Sequence, residues 1–271
     1  TFITRTPSSN GSETKSTLSM WLKRSGISAD QSPYFSSSSG DNKMIIRFNA
    51  DDTFDVRGKV GGSFPLDIET NRKFRDPHAW MHFVFKFDTT QATAADRFKM
   101  YVNGVQETSF STETYPSQNT NLSMNQTDDQ LWIGSESGTG SYFNGSITHV
   151  HWTDGYAYDA STFGETDSTT GIWKPKSSPS VTYGTNGFFL KFENSANMDL
   201  DSSGNNLSFT TSGNLTQSQD NPENNFCTLS PLGTASSSFT LIEGNLYSGG
   251  ADNNWRSIFG TLGAITGKYY Y

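Results

Sequence analysis

A single cysteine, Cys227, stands among 271 residues. That count excludes an internal disulfide and any cysteine-based metal site. With no histidine near it in sequence, Cys227 reads as a small apolar filler rather than a nucleophile. Charge is scarce as well: only 17% of residues are charged, and they sum to −8. An acidic chain offers no phosphate-binding surface, which argues against nucleic acid as a partner. No run approaches the about 18 apolar residues that a membrane helix needs, so no membrane insertion is expected, and no signal peptide is read ahead of Thr1. No window of about 15 residues carries a clean i, i+3, i+4 apolar stripe, so helix is expected to be almost absent. A disulfide-free chain with a Ser/Thr/Asn-rich surface suits assembly in a reducing cytoplasm followed by release.

What the chain has instead is aromatic residues and turns. Twenty Phe, eleven Tyr and six Trp favour strands. Thr17–Arg24, Met44–Phe48, Thr53–Arg57, Trp80–Phe87, Leu131–Gly134 and Ser146–Trp152 read as strands. In RFKMYVNGVQE, Phe98, Met100 and Val102 alternate with polar partners until Asn103-Gly104 supplies a tight hairpin turn. Phe83, Phe85, Phe98, Met100, Trp132 and Ile147 are expected to share one core between two antiparallel sheets. Ser36–Gly40 reads as a loop, and the stretches Gln91–Asp96, Ser109–Gln130 and Ser135–Tyr142 read as long loops. The fold class predicted is an all-β sandwich or jelly roll.

The order strand, Asn-Gly turn, strand, LWIGSES at Leu131–Ser137 and YFNGSITHVHW at Tyr142–Trp152 resembles the laminin-G-like, concanavalin-A-like sandwich over about residues 1–155. Beyond Trp152 come Asp154-Gly155, Phe163-Gly164-Glu165, Gly171-Ile172-Trp173-Lys174-Pro175-Lys176, Tyr183–Phe188, Asp201–Asn206 and Pro222–Pro231. This succession resembles a structural-protein family of tailed bacteriophages common among marine phages. The resemblance implies a virion component: a tail fibre, a spike or a capsid fibre. It places residues 1–200 in the sandwich with its closing crossover, 201–238 in a linker, and 239–271 at the start of a second, SPRY-like β domain. The three terminal tyrosines, Tyr269–Tyr271, read as a strand in want of partners, so the sequence is expected to stop inside that domain. The partners expected are other virion proteins, copies of the chain itself in a trimer, and a host cell-surface glycan. The localisation expected is the virion.

Residue chemistry supplies the candidate sites. Sugars stack on exposed aromatics, and Tyr115, Tyr142, Phe143, Trp152, Tyr156 and Tyr158 are the glycan-contact candidates, with Trp173 beside them. Calcium takes oxygen ligands, for which Asp128, Asp129, Asn144, Asp154 and Asp159 qualify, although no cofactor is required and no spacing marks a site. Glu165-Thr166-Asp167 begins a glucanase-like Glu-x-Asp-x-x-Glu pattern, but Thr170 stands where the last acid belongs, so no catalysis is expected. His149 and His151 are two apart on one strand, a zinc-like pair without a third ligand, and read as ordinary hydrogen-bonded histidines.

Overall fold

A computed structural model describes residues 1–233, 240–242, 244–249 and 257–263. Two antiparallel sheets face each other. The larger runs, in spatial order, β10 (Phe110–Thr114), β6 (Ser63–Thr70), β5 (Phe54–Val60), β4 (Asn42–Phe48), β3 (Gln31–Ser39), β11 (Gln130–Ile133), β1 (Phe2–Arg5) and β16 (Thr210–Ser212). The smaller runs β15 (Phe188–Leu190), β12 (Gly145–Asp154), β2 (Lys15–Arg24), β7 (Met81–Asp88), β8 (Phe98–Val102) and β9 (Val105–Glu107). Two short ribbons, β13 (Gly164–Thr166) with β14 (Trp173–Pro175) and β17 (Thr240–Ile242) with β18 (Tyr247–Gly249), complete the strands among the described residues. Helix is confined there to three 3-10 turns. The all-β sandwich expected from the sequence is the fold observed.

The alternation that marked β7 and β8 fills the core. Phe83, Phe85, Phe98 and Met100 are all buried, and Phe54 stacks on Phe83 and Phe85 at 4.9 and 5.4 Å between ring centroids. Asn103 and Gly104 both take positive φ, 49° and 80°, as the tight turn requires. Two of the six expected core residues depart from that set. Ile147 is half-buried at the core's rim, and Trp132 lies on the opposite face of its strand. The core is reached by Leu131 and Ile133 instead, since neighbours along a strand point to opposite sides.

Two segments read as loops, or as part of one, are strands. Ser36–Ser39 closes β3, paired on both sides by β4 and β11. Phe110–Thr114 forms β10 at the sheet's edge. The crossover after β12 covers the outer face of the smaller sheet, where Val84 meets Ala160 and Phe163. That cover explains why both faces of β7 are buried.

The linker expected over 201–238 has a different structure in its described part. Asp201 accepts the Phe189 amide at 3.0 Å, Phe209 is buried, and β16 pairs with β1. Farther on, Asp220 forms a 2.8 Å ion pair with Lys23, whose side chain is 4% exposed. Backbone groups left unpaired in a buried strand edge are costly, and this segment supplies the partners β1 lacks on that side. The strand read from Phe239 corresponds to the β17–β18 ribbon. Gly267–Tyr271 lies outside the described residues.

Candidate functional site

The outer face of the larger sheet carries a row of side chains that only the strand register reveals. Directly opposed residues in paired strands project to the same side. Thr4 opposes Trp132, Trp132 opposes Phe35, Phe35 opposes Ile45, Ile45 opposes Arg57, and Arg57 opposes Asp67. Their chain neighbours Ile133, Tyr34, Ile46, Val56 and Ile68 are core residues, so this row faces outward. At about 4.8 Å per strand, Trp132 and Arg57 are about 14 Å apart. The indole of Trp132 is half-exposed and lies tilted over Phe35, with ring centroids 5.5 Å apart.

A second outward row, Arg47, Asp55 and Glu69, runs alongside. Asp55 is fully buried between Arg57 at 3.0 Å and Arg47 at 3.2 Å. Burial pushes its carboxyl up to about 6 while Arg57 and Arg47 pull the other way. Its Oδ1 has no hydrogen-bond partner among the described residues. Arg57 spends Nε on Asp67 at 3.1 Å, and its terminal nitrogens make no hydrogen bond among the described residues. An aromatic plane and, about 14 Å along the same face, paired donors and acceptors are groups of the kind that contact sugar rings and their hydroxyls.

Of the aromatics singled out from sequence as glycan-contact candidates, only Tyr156 and Tyr158 stack on each other; the rest lie apart from that pair. Trp152 is 1% exposed, stacks on Tyr34 at 5.2 Å and donates its N–H to Asn125 at 2.7 Å. It is a core residue, and the expectation that it forms a surface platform is corrected. Tyr156 and Tyr158 stack on each other on the crossover, 6.1 Å apart. Tyr115 packs at the far sheet edge, its hydroxyl donating to Glu113 at 2.8 Å. Tyr142 is exposed and donates to the Gly138 carbonyl, whereas Phe143 packs against the core.

The oxygen ligands considered for calcium are equally dispersed. Asp129 accepts from Ser123 at 2.9 Å, Asp154 from the Ser12 and Asn186 amides at 2.7 and 3.0 Å, and Asp159 from Lys86 and Tyr101. The Asn144 carbonyl accepts the Ser25 amide, and Asp128 lies exposed beside Asp129. Among the described residues no group of three His, Cys, Asp or Glu side chains could hold a metal ion. His149 bonds Thr148 at 3.1 Å and His151 bonds Tyr183 at 2.9 Å. Asp167 caps its own turn, accepting the Thr169 and Thr170 amides and a Lys174 ion pair at 2.9 Å; these bonds hold its carboxyl below the usual range.

Trp132 and Arg57 were missed as site residues. The signal for Trp132 was present, since Leu131 and Ile133 already claim the inner face of that short strand. Arg57 becomes a site residue only through the register of four strands.

This architecture agrees with comparison to known proteins. The chain belongs to the concanavalin A-like lectin/glucanases superfamily, whose laminin-G-type model matches residues 3–161. No curated protein sequence matches the chain. Similar solved structures include a heptameric SAP-like pentraxin from Limulus polyphemus (11% identity, TM-score 0.39, 56% of this chain and 68% of that one). A putative carbohydrate binding protein from Bacteroides ovatus is 14% identical, with a TM-score of 0.42 over 78% of this chain and 57% of that one. Domains LG4-5 of the mouse laminin α1 chain are 10% identical, with a TM-score of 0.38 over 70% and 44%.

Proposed function

We propose that this protein is a non-catalytic carbohydrate-binding component of a virus particle, a fibre or spike that presents its sandwich to a host-surface glycan. The observation that carries the binding half is the half-exposed Trp132, packed over the buried Phe35, on the same outer sheet face as Arg57 and Asp67. The lectin-type fold supports it. No metal or cofactor enters this reading. Catalysis is left out because Glu165 is exposed on a short ribbon and Asp167 is committed to its own turn. The virion half rests on the order of sequence motifs after Trp152. It makes physical sense of weak single-site contact, because repeated copies raise the effective concentration.

Truncating an aromatic anchor typically costs about 2 kcal/mol of binding or more, so Trp132→Ala should weaken glycan binding about thirtyfold. Its stability should scarcely change, because the indole lies outside the core. Titration of wild type and variant against a panel of host-surface oligosaccharides measures this, and the same incubations should release no reducing sugar. Unchanged affinity in Trp132→Ala, or glycan cleavage lost in Glu165→Ala, overturns the reading. For the particle, the protein should co-purify with virions as a multi-copy, trimeric assembly. A full-length chain that stays monomeric in light scattering and is absent from purified particles refutes the virion half.

A further inference from the structure

At one end of the sandwich the strand ends of β1, β12 and β15 and the segment after β16 enclose a cleft of about 1010 Å³, at the upper end of the range for ligand sites. Two of its lining residues, His149 and Phe192, hold left-handed backbone conformations, with φ of 48° and 60°. Bulky side chains rarely adopt that region, and such residues concentrate where a ligand is held. His149 lies in a bulge where β12 loses register against β2 between Thr148 and His151. Bulges of this kind re-aim a side chain. Thr148 ties the two strained strand ends together by donating to the Lys191 carbonyl at 3.0 Å.

The opposite wall is amide-rich, with Gln217, Gln219, Asn221 and Asn224. It is fixed in advance. Gln217 donates to the Phe192 carbonyl at 3.0 Å, and the buried Lys23–Asp220 pair at 2.8 Å anchors the segment to β2. Preorganised walls of this kind spare a ligand the cost of ordering them. Phe143, Phe192 and Phe226 contribute apolar surface.

The charges inside nearly cancel. Lys191 lies 3.5 Å from Glu193, Asp220 is matched by Lys23, and Glu223 leaves a slight negative excess. Burial, with Lys191 nearby, pushes the His149 ring down to about 4, so it is neutral at pH 7. Its Nδ1 meets the Thr148 hydroxyl, and Nε2 makes no hydrogen bond among the described residues. The slight negative excess disfavours an anion, while aromatic faces and amides match ring faces and hydroxyls.

We propose that this cleft is a second carbohydrate site, which takes an uncharged oligosaccharide of about two or three rings. It shares no contact residue with the Trp132 face, so either site can fail without the other. The experiment is titration of the Trp132→Ala protein, in which the sheet face is disabled, with maltotriose, cellotriose, mannotriose and triacetylchitotriose, and with a sulfated disaccharide at low and high salt. At least one neutral trisaccharide should bind saturably, and the sulfated sugar should not.

Adding His149→Gly should weaken that binding at least tenfold while leaving Tm unchanged or raising it, because glycine takes positive φ freely. Gln219→Ala should weaken binding with no change in Tm. A purely structural His149 gives the reverse pattern, a lower Tm with intact binding. That pattern, the absence of saturable binding by every neutral trisaccharide, or binding of the sulfated sugar alone overturns the proposal.

Discussion

Replacing Asp52 by alanine is expected to lower the unfolding free energy by about 3–5 kcal/mol, as is replacing Arg24. The two side chains form a wholly enclosed ion pair, 3.0 Å apart and 0% exposed on both sides. Arg24 also donates to the Phe74 carbonyl at 2.6 Å and lies over the Phe48 ring at 4.5 Å. Asp52 accepts in addition from the Ser28 amide at 2.7 Å and from Arg75 at 3.0 Å. Burial resists its charge, but the Ser28, Arg75 and Arg24 contacts together hold the carboxyl below its ordinary range. Removing Asp52 strands the Arg24 guanidinium in the interior, and that uncompensated charge makes the loss large. Removing Arg24 leaves Asp52 with Arg75 and the Ser28 amide but forfeits the packing on Phe48 and the bond to the Phe74 carbonyl. Removing both should therefore cost well under the sum of the two single losses.

Asp52 has φ of 71°, so Asp52→Asn is the sharper variant: asparagine tolerates that conformation and removes only the charge. Lys73→Ala, which removes the exposed contact with Asp51 at 3.2 Å, is a fitting control, expected to cost under about 1 kcal/mol. Chemical denaturation midpoints measure all of these. Losses below about 1 kcal/mol for both Arg24→Ala and Asp52→Ala would mean the pair is solvated rather than buried.

That pair marks a limit of reading the sequence. Arg24 ends a strand that alternation made plain, and Asp52 occupies the Ala50-Asp51-Asp52 turn between two strands that were also plain. Their meeting depends on how two sheets stack, which no local period encodes. What was legible followed from period-two alternation and turn chemistry: β2, β4, β5, β7, β8 and the Asn103-Gly104 turn. β3 was hidden because Ser36–Ser39 offers no apolar alternation; the strand exists because β4 and β11 pair with it on both sides. β16 was hidden for the same reason, its backbone pairing with β1 without an apolar pattern of its own.

The site was less legible than the fold. Aromatics in loops are the natural sequence-level choice for sugar contact, yet Trp152 went to the core and Tyr156 to a stacked pair on the crossover. The sheet-face candidate depends on register across β1, β11, β3, β4, β5 and β6, and the end cleft depends on a bulge. A bulge is a mismatch between two strands, so the sequence around His149 carries no local sign of it. Both sites therefore become visible only when the paired strands are placed.

Acidification from pH 7 to pH 5 is expected to remove several kcal/mol of stability, through histidines that the native state keeps neutral. His82 is fully buried, stacked on Trp21 at 4.8 Å. Trp173 donates its indole N–H to His82 Nδ1 at 3.0 Å, which leaves the proton on Nε2 to be donated to Ser19 at 2.8 Å. A protonated Nδ1 would face a group that can only donate, so charging the ring breaks the bond that pins the crossover to the sheet. Burial, with His149 nearby, pushes His82 down to about 3. His151, stacked on Phe189 at 3.7 Å, is lowered well below 6.5 by burial first and then by His149, His82 and Lys191 around it.

The sign follows from proton counting. Below about pH 6.5 the unfolded chain binds protons that the folded chain refuses, so stability is complete above that pH and falls as the pH drops toward the depressed native values. His82, at about 3, and His149, at about 4, each account for about 2 kcal/mol at pH 5, and His151 adds to the loss in the same direction. Asp55, raised to about 6, works in the opposite direction and offsets about 1 kcal/mol of this. Denaturation midpoints at pH 7 and pH 5 measure the loss, and histidine ring resonances followed by NMR should show no titration of His82 or His151 in the folded protein down to pH 5. Equal midpoints at the two pH values, or ring resonances that titrate near pH 6.5, would show that the crossover is not sealed over these histidines.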